Sequence, residues 1–272
     1  MRNNRYRVLA LDLDGTLTNA KKEVTPRTKS AIRRAIDAGV AVVLASGRPL
    51  MGVAPVAQEL ELDRLGGYIL CYNGALILEC RTNAPVFQRY LPADAVRKVC
   101  EWANGKKVYP LAYDTQGVIT PCPENRYVHA EAYNNNLSIR LVEDLPGFID
   151  YPVEKIMLVG EPVDVQSAME ELKTRFSGEL NIFGSEPYFI EVMPLEVDKA
   201  FALDVLLRHL HTTREALIAC GDGMNDLPML RIAGLSVAMD NARTAVKELA
   251  HFVTRSNEED GVAHVIERFI GV

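Results

Sequence analysis

Asp12-Leu13-Asp14-Gly15-Thr16 follows directly on a short apolar stretch, Tyr6 to Leu11. Side chains alternate along a strand, so Asp12 and Asp14 would share a face if the strand simply continued. Gly15 suggests that the chain turns instead. A turn there puts both acids at the carboxyl end of the strand, where open α/β sheets bind ligands. One carboxylate could then attack a phosphorus atom while the other moves a proton, and either could help to hold a divalent cation. Asp and Gly are also ordinary turn residues, and Asp-Gly behind a strand is often just a hairpin turn. The choice depends on what the other strand ends carry.

Ser46-Gly47-Arg48 ends a second apolar stretch. A small hydroxyl, a flexible glycine and a guanidinium could cradle a phosphate through side-chain and backbone donors. They could equally make a polar strand-to-helix turn with Ser46 near a cap. Farther on, the apolar run Ala216 to Cys220 leads into Gly221-Asp222-Gly223-Met224-Asn225-Asp226. Glycines allow close backbone approach, and the acids offer the hard oxygen ligands that Mg²⁺ takes. The same loop could instead cap the following helix through Asn225 or Asp226. Lys199 stands just after Asp198 at a helix start, where a cation opposes the helix dipole. That conflict suggests a role such as screening negative charge, against the commonest fate of a lysine, which is solvated surface.

The elements that must position these residues alternate from the start. Thr25 as N-cap and Pro26 at the first helical position open a helix, Ala31, Ile32, Ala35 and Ile36 repeat at helical spacing, and Gly39 suits its end. Val40 to Ala45 reads as a strand buried on both faces, as in a parallel sheet. Pro49 to Leu60 can form the next helix and Tyr68 to Tyr72 the next strand, which together point to a doubly wound α/β unit. Near residue 75 the pattern changes. Paired strands are expected at Ala75 to Cys80 and Pro85 to Leu91, then a helix near Pro92 to Asn104. Residues 105–150 look irregular, rich in Pro, Asn and Tyr, with Asn134-Asn135-Asn136 as a loop. Strands at Glu154 to Gly160, Glu179 to Phe183 and Tyr188 to Met193, with a helix from Pro162 to Phe176, complete an α+β module. After Pro194 the first pattern returns. The simplest organisation is one mostly parallel, Rossmann-like α/β domain, residues 1–82 and 192–272, interrupted by an inserted α+β domain, residues 83–191.

Composition removes several alternatives. The 272 residues are 48% hydrophobic and 24% charged, as in ordinary globular chains, and the formal net charge of −6 gives no support for nucleic-acid binding. Five cysteines at 71, 80, 100, 122 and 220 show no CxxC spacing, so they read as reduced and mostly buried, with no structural zinc site. The N-terminus, Met1 to Arg7, is basic, but Asp12 cuts short the apolar run that a secretory signal needs. With no window long enough for a membrane span, the default expectation is a cytoplasmic protein without a membrane partner. The five histidines form no HExxH pattern, and Trp102 reads as helix packing. No GxxxxGK[ST], GxGxxG or GxSxG stretch is present.

In combination, Asp12-Leu13-Asp14-Gly15-Thr16-Leu17, Ser46-Gly47-Arg48, Lys199 and Gly221-Asp222-Gly223-Met224-Asn225-Asp226 resemble, in order, the four motifs of the haloacid dehalogenase (HAD) superfamily of phosphotransferases. The insertion resembles the α+β cap of its Cof-type, class IIB phosphatases. Tyr72-Asn73-Gly74-Ala75, Val237-Ala238-Met239-Asp240-Asn241-Ala242 and Ser256-Asn257-Glu258-Glu259-Asp260-Gly261-Val262-Ala263 look like that branch too. Two departures stand out: Ala200 follows the lysine where glycine is common, and Met239-Asp240-Asn241-Ala242 stands where Met-Gly-Asn-Ala is more general.

The resemblance implies an Mg²⁺-dependent phosphatase that hydrolyses small phosphate monoesters, with sugar phosphates leading, through an aspartyl-phosphate. Asp12 would be the nucleophile and Asp14 the acid, then the base. Lys199 would neutralise charge, and Ser46, Gly47 and Asn225 would bind phosphoryl oxygens. Arg48 and Asn73, at strand ends, are further candidates for touching substrate. The metal would rest on Asp12, the Asp14 carbonyl and Asp222, with Asp226 behind them or acting through water. The inserted domain would close over the site and read the leaving group. A phosphomutase and a non-hydrolytic sugar-phosphate sensor are the rival readings, and the oligomeric state stays open between monomer and homodimer.

Overall fold

Val8–Leu11 (β1) is apolar and buried at every position because it runs between two parallel neighbours. The computed structural model describes residues 5–272, so the first four residues of the basic N-terminal stretch lie outside the described residues. After β1 come Ala41–Ala45 (β2), Tyr68–Cys71 (β3), Leu76–Glu79 (β4) and Ala84–Gln88 (β5). Strands Val108–Asp114 (β6), Gly117–Thr120 (β7), Ser138–Leu141 (β8), Ile156–Gly160 (β9), Leu180–Gly184 (β10) and Phe189–Pro194 (β11) follow. Leu217–Gly221 (β12), Leu235–Ala238 (β13) and Phe252–Val253 (β14) close the chain.

The chain divides into two compact units, one of residues up to Phe87 and from Asp198 onward, the other Gln88–Val197. The first holds a sheet in the order β14-β13-β12-β1-β2-β3-β4-β5. Neighbours from β14 through β3 pair parallel, and β3 with β4 antiparallel. Parallel pairing requires crossover helices, and the sequence supplies them. Pro26–Asp37 begins as its start signals predict, with Thr25 Oγ1 accepting from Thr28 N at 3.2 Å and proline in the first turn. Lys199–His209 is capped by Asp198, whose carboxylate accepts from Phe201 N at 2.7 Å. This is the Rossmann-like architecture with an inserted module that the alternation predicts. The strands β1, β2, β3 and β12 all run the same way, so their carboxyl ends, followed by Asp12, Ser46, Tyr72 and Asp222, open on one edge of the sheet.

The second unit is a sheet in the order β10-β11-β9-β6-β7-β8, with helices Ala95–Ala103 and Pro162–Arg175 sharing its apolar core. Residues 105–150 are not irregular. They form β6, β7, the helix Arg126–Asn135, β8 and a short turn of helix. Of the three asparagines expected as a loop, Asn134 and Asn135 lie in that helix and Asn136 ends it in the left-handed conformation, φ 53°; at its start Asn125 Oδ1 accepts from Tyr127 N at 2.9 Å. Pro110 sits within β6 opposite Leu158, its carbonyl accepting from Thr120 Oγ1 at 2.8 Å.

Cys71 and Cys220 are buried, and Cys80, Cys100 and Cys122 half-buried. Burial, with nearby carboxylates, pushes the Cys80 and Cys100 thiols up to about 12, which keeps them protonated and unreactive. No helix among the described residues is long and apolar enough to cross a membrane.

Candidate active site

Four charged side chains meet beyond the carboxyl ends of β1 and β12. Lys199 Nζ donates to Asp12 Oδ1 and to Asp226 Oδ1, each at 2.6 Å, and its side chain has no exposed surface. Asp222 completes the group: one carboxylate oxygen from each of Asp12, Asp222 and Asp226 lies within 4.8 Å of the others. The lysine reaches this place because it opens the helix Lys199–His209 while Asp198, its neighbour, takes the capping duty. Its unfavourable position for the helix dipole is offset by two carboxylates, and the surface alternative is excluded.

The backbone is shaped to the cluster. Gly15 has φ +80°, and a Cβ there would stand 2.5 Å from Asp222 Oδ2, so the turn predicted at this position needs glycine twice over. A Cβ on Gly221 would lie 2.6 Å from the Asp226 Cβ. Asp226 Oδ2 accepts from the backbone N–H of Asp222 at 3.0 Å and of Gly223 at 2.9 Å, which folds the loop over the acid. Thr16 Oγ1 donates to Asp222 Oδ1 at 2.9 Å.

Charge in the cluster is out of balance, three carboxylates to one lysine. Burial, then the neighbouring Asp226, raises the Asp12 carboxyl well above its usual range, and Lys199 only partly counters this. Burial and Asp226 likewise push Asp222 up to about 6. Burial alone would lower Lys199, but Asp12 and Asp226 outweigh it and the ammonium is held charged. A surplus of buried negative charge on hard oxygen donors fits a divalent cation such as Mg²⁺. Asp12 and Asp222 would hold it. Asp226 already spends both oxygens on Lys199 and the loop amides, which suits it to a supporting position.

Asp14 points elsewhere. Arg48 grips it bidentately, Nε to Oδ2 at 2.7 Å and Nη2 to Oδ1 at 2.5 Å, and Lys22 Nζ reaches Oδ1 at 2.5 Å. Burial pushes this carboxyl up, but the hydrogen bonds and charges of Arg48 and Lys22 prevail and hold it below its ordinary value. Arg48 is held by its loop: Arg48 N donates to Ser46 Oγ at 3.1 Å and Arg48 Nη1 to Gly52 O at 3.2 Å. The loop is joined to the β3 end, with Asn73 N donating to Ser46 O and Tyr72 N to Arg48 O. A Cβ on Gly47 would touch the Asn73 amide at 3.0 Å, so the second strand end and Asn73 form one packed ledge. Asn225 is half-buried on the Met224–Asp226 turn, and a Cβ on Gly223 would stand 2.6 Å from its amide oxygen.

A family profile for haloacid dehalogenase-like hydrolases matches residues 9–266. The chain belongs to this family. Among relatives, YxeH of Bacillus subtilis (strain 168) is 32% identical over 268 residues, covering 97% of this chain and 98% of its own. The 5-amino-6-(5-phospho-D-ribitylamino)uracil phosphatase YcsE of the same organism is 32% identical over 265 residues, covering 97% and 96%. The crystal structure of a haloacid dehalogenase-like hydrolase from Bacteroides thetaiotaomicron superposes with a TM-score of 0.91 at 42% identity, covering 97% of this chain and 99% of that one. This haloacid dehalogenase-like hydrolase is therefore an enzyme, a phosphatase, built on the family's α/β fold with its inserted domain.

In this hydrolase, several residues of the site carried no signal of their own in the sequence. Lys22 is one, exposed in appearance and distant from any motif. Asn241 Nδ2 donates to Gly15 O at 2.7 Å, Asn257 Nδ2 to Thr18 O at 2.9 Å, and Glu258 Oε1 accepts from Ala20 N at 2.7 Å. Both asparagines and Glu258 fall in the family-like stretches near the C-terminus, where periodicity alone gave them no task. They tether the loop that carries Asp14.

Proposed function

We propose that this phosphatase is Mg²⁺-dependent and hydrolyses small phosphate monoesters, sugar phosphates first among them, through an aspartyl-phosphate. The observation that carries the reading is the buried cluster in which Lys199 bridges Asp12 and Asp226 beside Asp222. A dianionic phosphate cannot approach three carboxylates without compensation, and the lysine together with a divalent cation supplies it. When bound, the cation would neutralise phosphoryl oxygens and align them for in-line displacement.

Asp12 is the nucleophile in this scheme. Lys199 holds its carboxylate in one orientation at the end of a rigid, fully buried strand. The Asp12 oxygen forms the bond to phosphorus as the ester oxygen leaves. Asp14 serves the leaving group: it gives a proton to the departing alcohol, then takes one from the water that cleaves the aspartyl-phosphate. Its grip by Arg48 and Lys22 favours the ionised form, the base of the second step. Proton delivery in the first step therefore requires that grip to slacken when the substrate's anionic oxygens draw the two cations. Ser46, Gly47 and Asn225 are assigned to phosphoryl oxygens, and Arg48 and Asn73 to the substrate side of the ledge. The inserted unit is assigned the choice of leaving group. YcsE is named for a phosphate on a ribityl chain, a sugar alcohol, which supports sugar-like leaving groups.

The test is phosphate release across a panel of phosphorylated metabolites with Mg²⁺, using Asp12→Asn as the blank. Release from sugar phosphates that ceases with chelator and in the blank is expected. Undiminished release in excess chelator would overturn the metal requirement, and transfer to a second sugar without free phosphate would make the enzyme a mutase.

A further inference from the structure

Lys22 is placed with more care than an ordinary surface ion pair needs. Its backbone has φ 63°, the left-handed conformation that side chains other than glycine and asparagine rarely adopt. The turn is tied on every side. Asn19 Oδ1 accepts from Lys21 N and Glu23 N, both at 3.0 Å, Asn19 N donates to Glu23 O at 3.0 Å, and Lys22 N donates to Asn19 O at 2.9 Å. Glu258 and Asn257 anchor the same segment from across the sheet end through Ala20 N and Thr18 O. The result is an ammonium aimed at Asp14 Oδ1.

Asp14 does not need it. Arg48, with only 11% of its side chain exposed, already satisfies both oxygens in a bidentate pair. Lys22 adds a second cation; its side chain is 42% exposed, and an ammonium has three N–H donors, more than this one contact uses. Two cations on one carboxylate leave a net positive spot at the rim of an otherwise acidic site. Asp14 is also the residue assigned to the ester oxygen of the leaving alcohol, so that spot lies beside the first substituents the alcohol carries. An ammonium on a flexible stem suits an anion of variable placement there.

We propose that Lys22 is a specificity residue that leaves Asp14 to bind a second anionic group, a carboxylate or another phosphate, carried close to the ester oxygen of the substrate. This rests on the assignment of Asp14 to the leaving group. Within phosphorylated sugars and their relatives it selects phosphorylated sugar acids and bisphosphates over neutral sugar phosphates.

Two matched pairs test it: 2-phosphoglycerate against glycerol 2-phosphate, and 2-phosphoglycolate against 2-hydroxyethyl phosphate. In each, one carboxylate replaces one hydroxymethyl group beside the ester carbon. The acid-to-alcohol ratio of kcat/KM should fall about tenfold in Lys22→Met, the size of one lost charged hydrogen bond, chiefly through KM on the acid. Lys22→Arg should keep most of the preference. A Lys22 that only buttressed Asp14 would slow both members of a pair alike, and an unchanged ratio overturns the assignment. Binding of the same pairs to Asp12→Asn and Asp12→Asn/Lys22→Met, read by calorimetry, gives the ratio without turnover. Absence of hydrolysis with an intact, Lys22-dependent binding preference breaks the proposed reaction and keeps the specificity residue. Equal ratios in both backgrounds break the specificity residue alone.

Discussion

Each unit of the molecule buries a lysine against carboxylate, and the two differ in how the acids are gathered. In the inserted unit Lys155 Nζ lies 3.0 Å from Glu191 Oε2, with 2% and 5% of the side chains exposed. Glu131, also buried, accepts from the Tyr113 hydroxyl at 2.6 Å and the Asn135 amide at 2.8 Å. In the α/β unit Lys199 is equally buried but faces Asp12 and Asp226 together, with Asp222 at hand. A buried pair of this kind is a structural object, and breaking it costs stability. Three acids within 4.8 Å of one another have a place for a further positive charge, and Asp12 and Asp222 are held above their ordinary values until that charge arrives. Burial of a lysine alone does not mark a site; acids gathered closely enough to share a cation do.

The comparison breaks most sharply at Asp12. Asp12→Asn removes the proposed nucleophile and should lower turnover about a thousandfold or more while leaving the circular dichroism spectrum intact, with no phosphoenzyme trapped by rapid acid quench. Near-normal turnover would sink the assignment. Lys199→Met and Lys155→Met should both destabilise, by about 3–5 kcal/mol in urea unfolding, since each strands buried carboxylate. Turnover on p-nitrophenyl phosphate by the folded fraction should fall far more for Lys199→Met; equal losses would erase the distinction between the two lysines.

Metal and pH sharpen the same contrast. Asp222 is raised to about 6, above its unfolded value, so the folded, metal-free protein retains a proton that the unfolded chain has released. The stability this contributes is whole at low pH and is lost as pH rises through about 6. In chelator, the melting temperature should therefore decline between acid and neutral pH, and Mg²⁺ should restore it more at neutral pH than at acid pH. A Mg²⁺ effect independent of pH would mean that the acids do not hold the ion. The smallest expected effect is at Thr16. Thr16→Val removes the hydroxyl that orients Asp222, and Mg²⁺ affinity, read by calorimetric titration, should weaken about tenfold.

Much of the α/β unit was legible along the chain. Thr25-Pro26, the unbroken apolar strand of residues 41–45 and the Gly/Asp turns are local signals, and local physics produced the elements they predict. Within residues 105–150 the reading failed because Asn134 and Asn135, which lie in a helix, and Asn136, which ends it, look the same in sequence as residues of a loop. The acids that meet in the cluster could also be picked out, but only by reading the strand-end motifs together, since each alone would serve equally as a turn or a cap. Lys22 was not: a lysine in a polar turn has no sequence mark that separates it from a solvated one, and its partner is set by the turn's geometry and by tethers from Asn257 and Glu258 more than two hundred residues away.

The sequence by itself determined which groups stand at the strand ends, because apolar runs, turn glycines and caps are short-range and leave those positions little choice. It could not decide where the two acids of the first motif would point. Side-chain alternation would have kept Asp12 and Asp14 on one face. Gly15 turns the chain, and only the fold brings Lys199, 187 residues on, to one acid and Arg48, 34 residues on, to the other. One carboxylate is thereby buried in surplus negative charge and the other held ionised between two cations. Their difference in chemistry arises from neighbours that the chain meets only once it has closed.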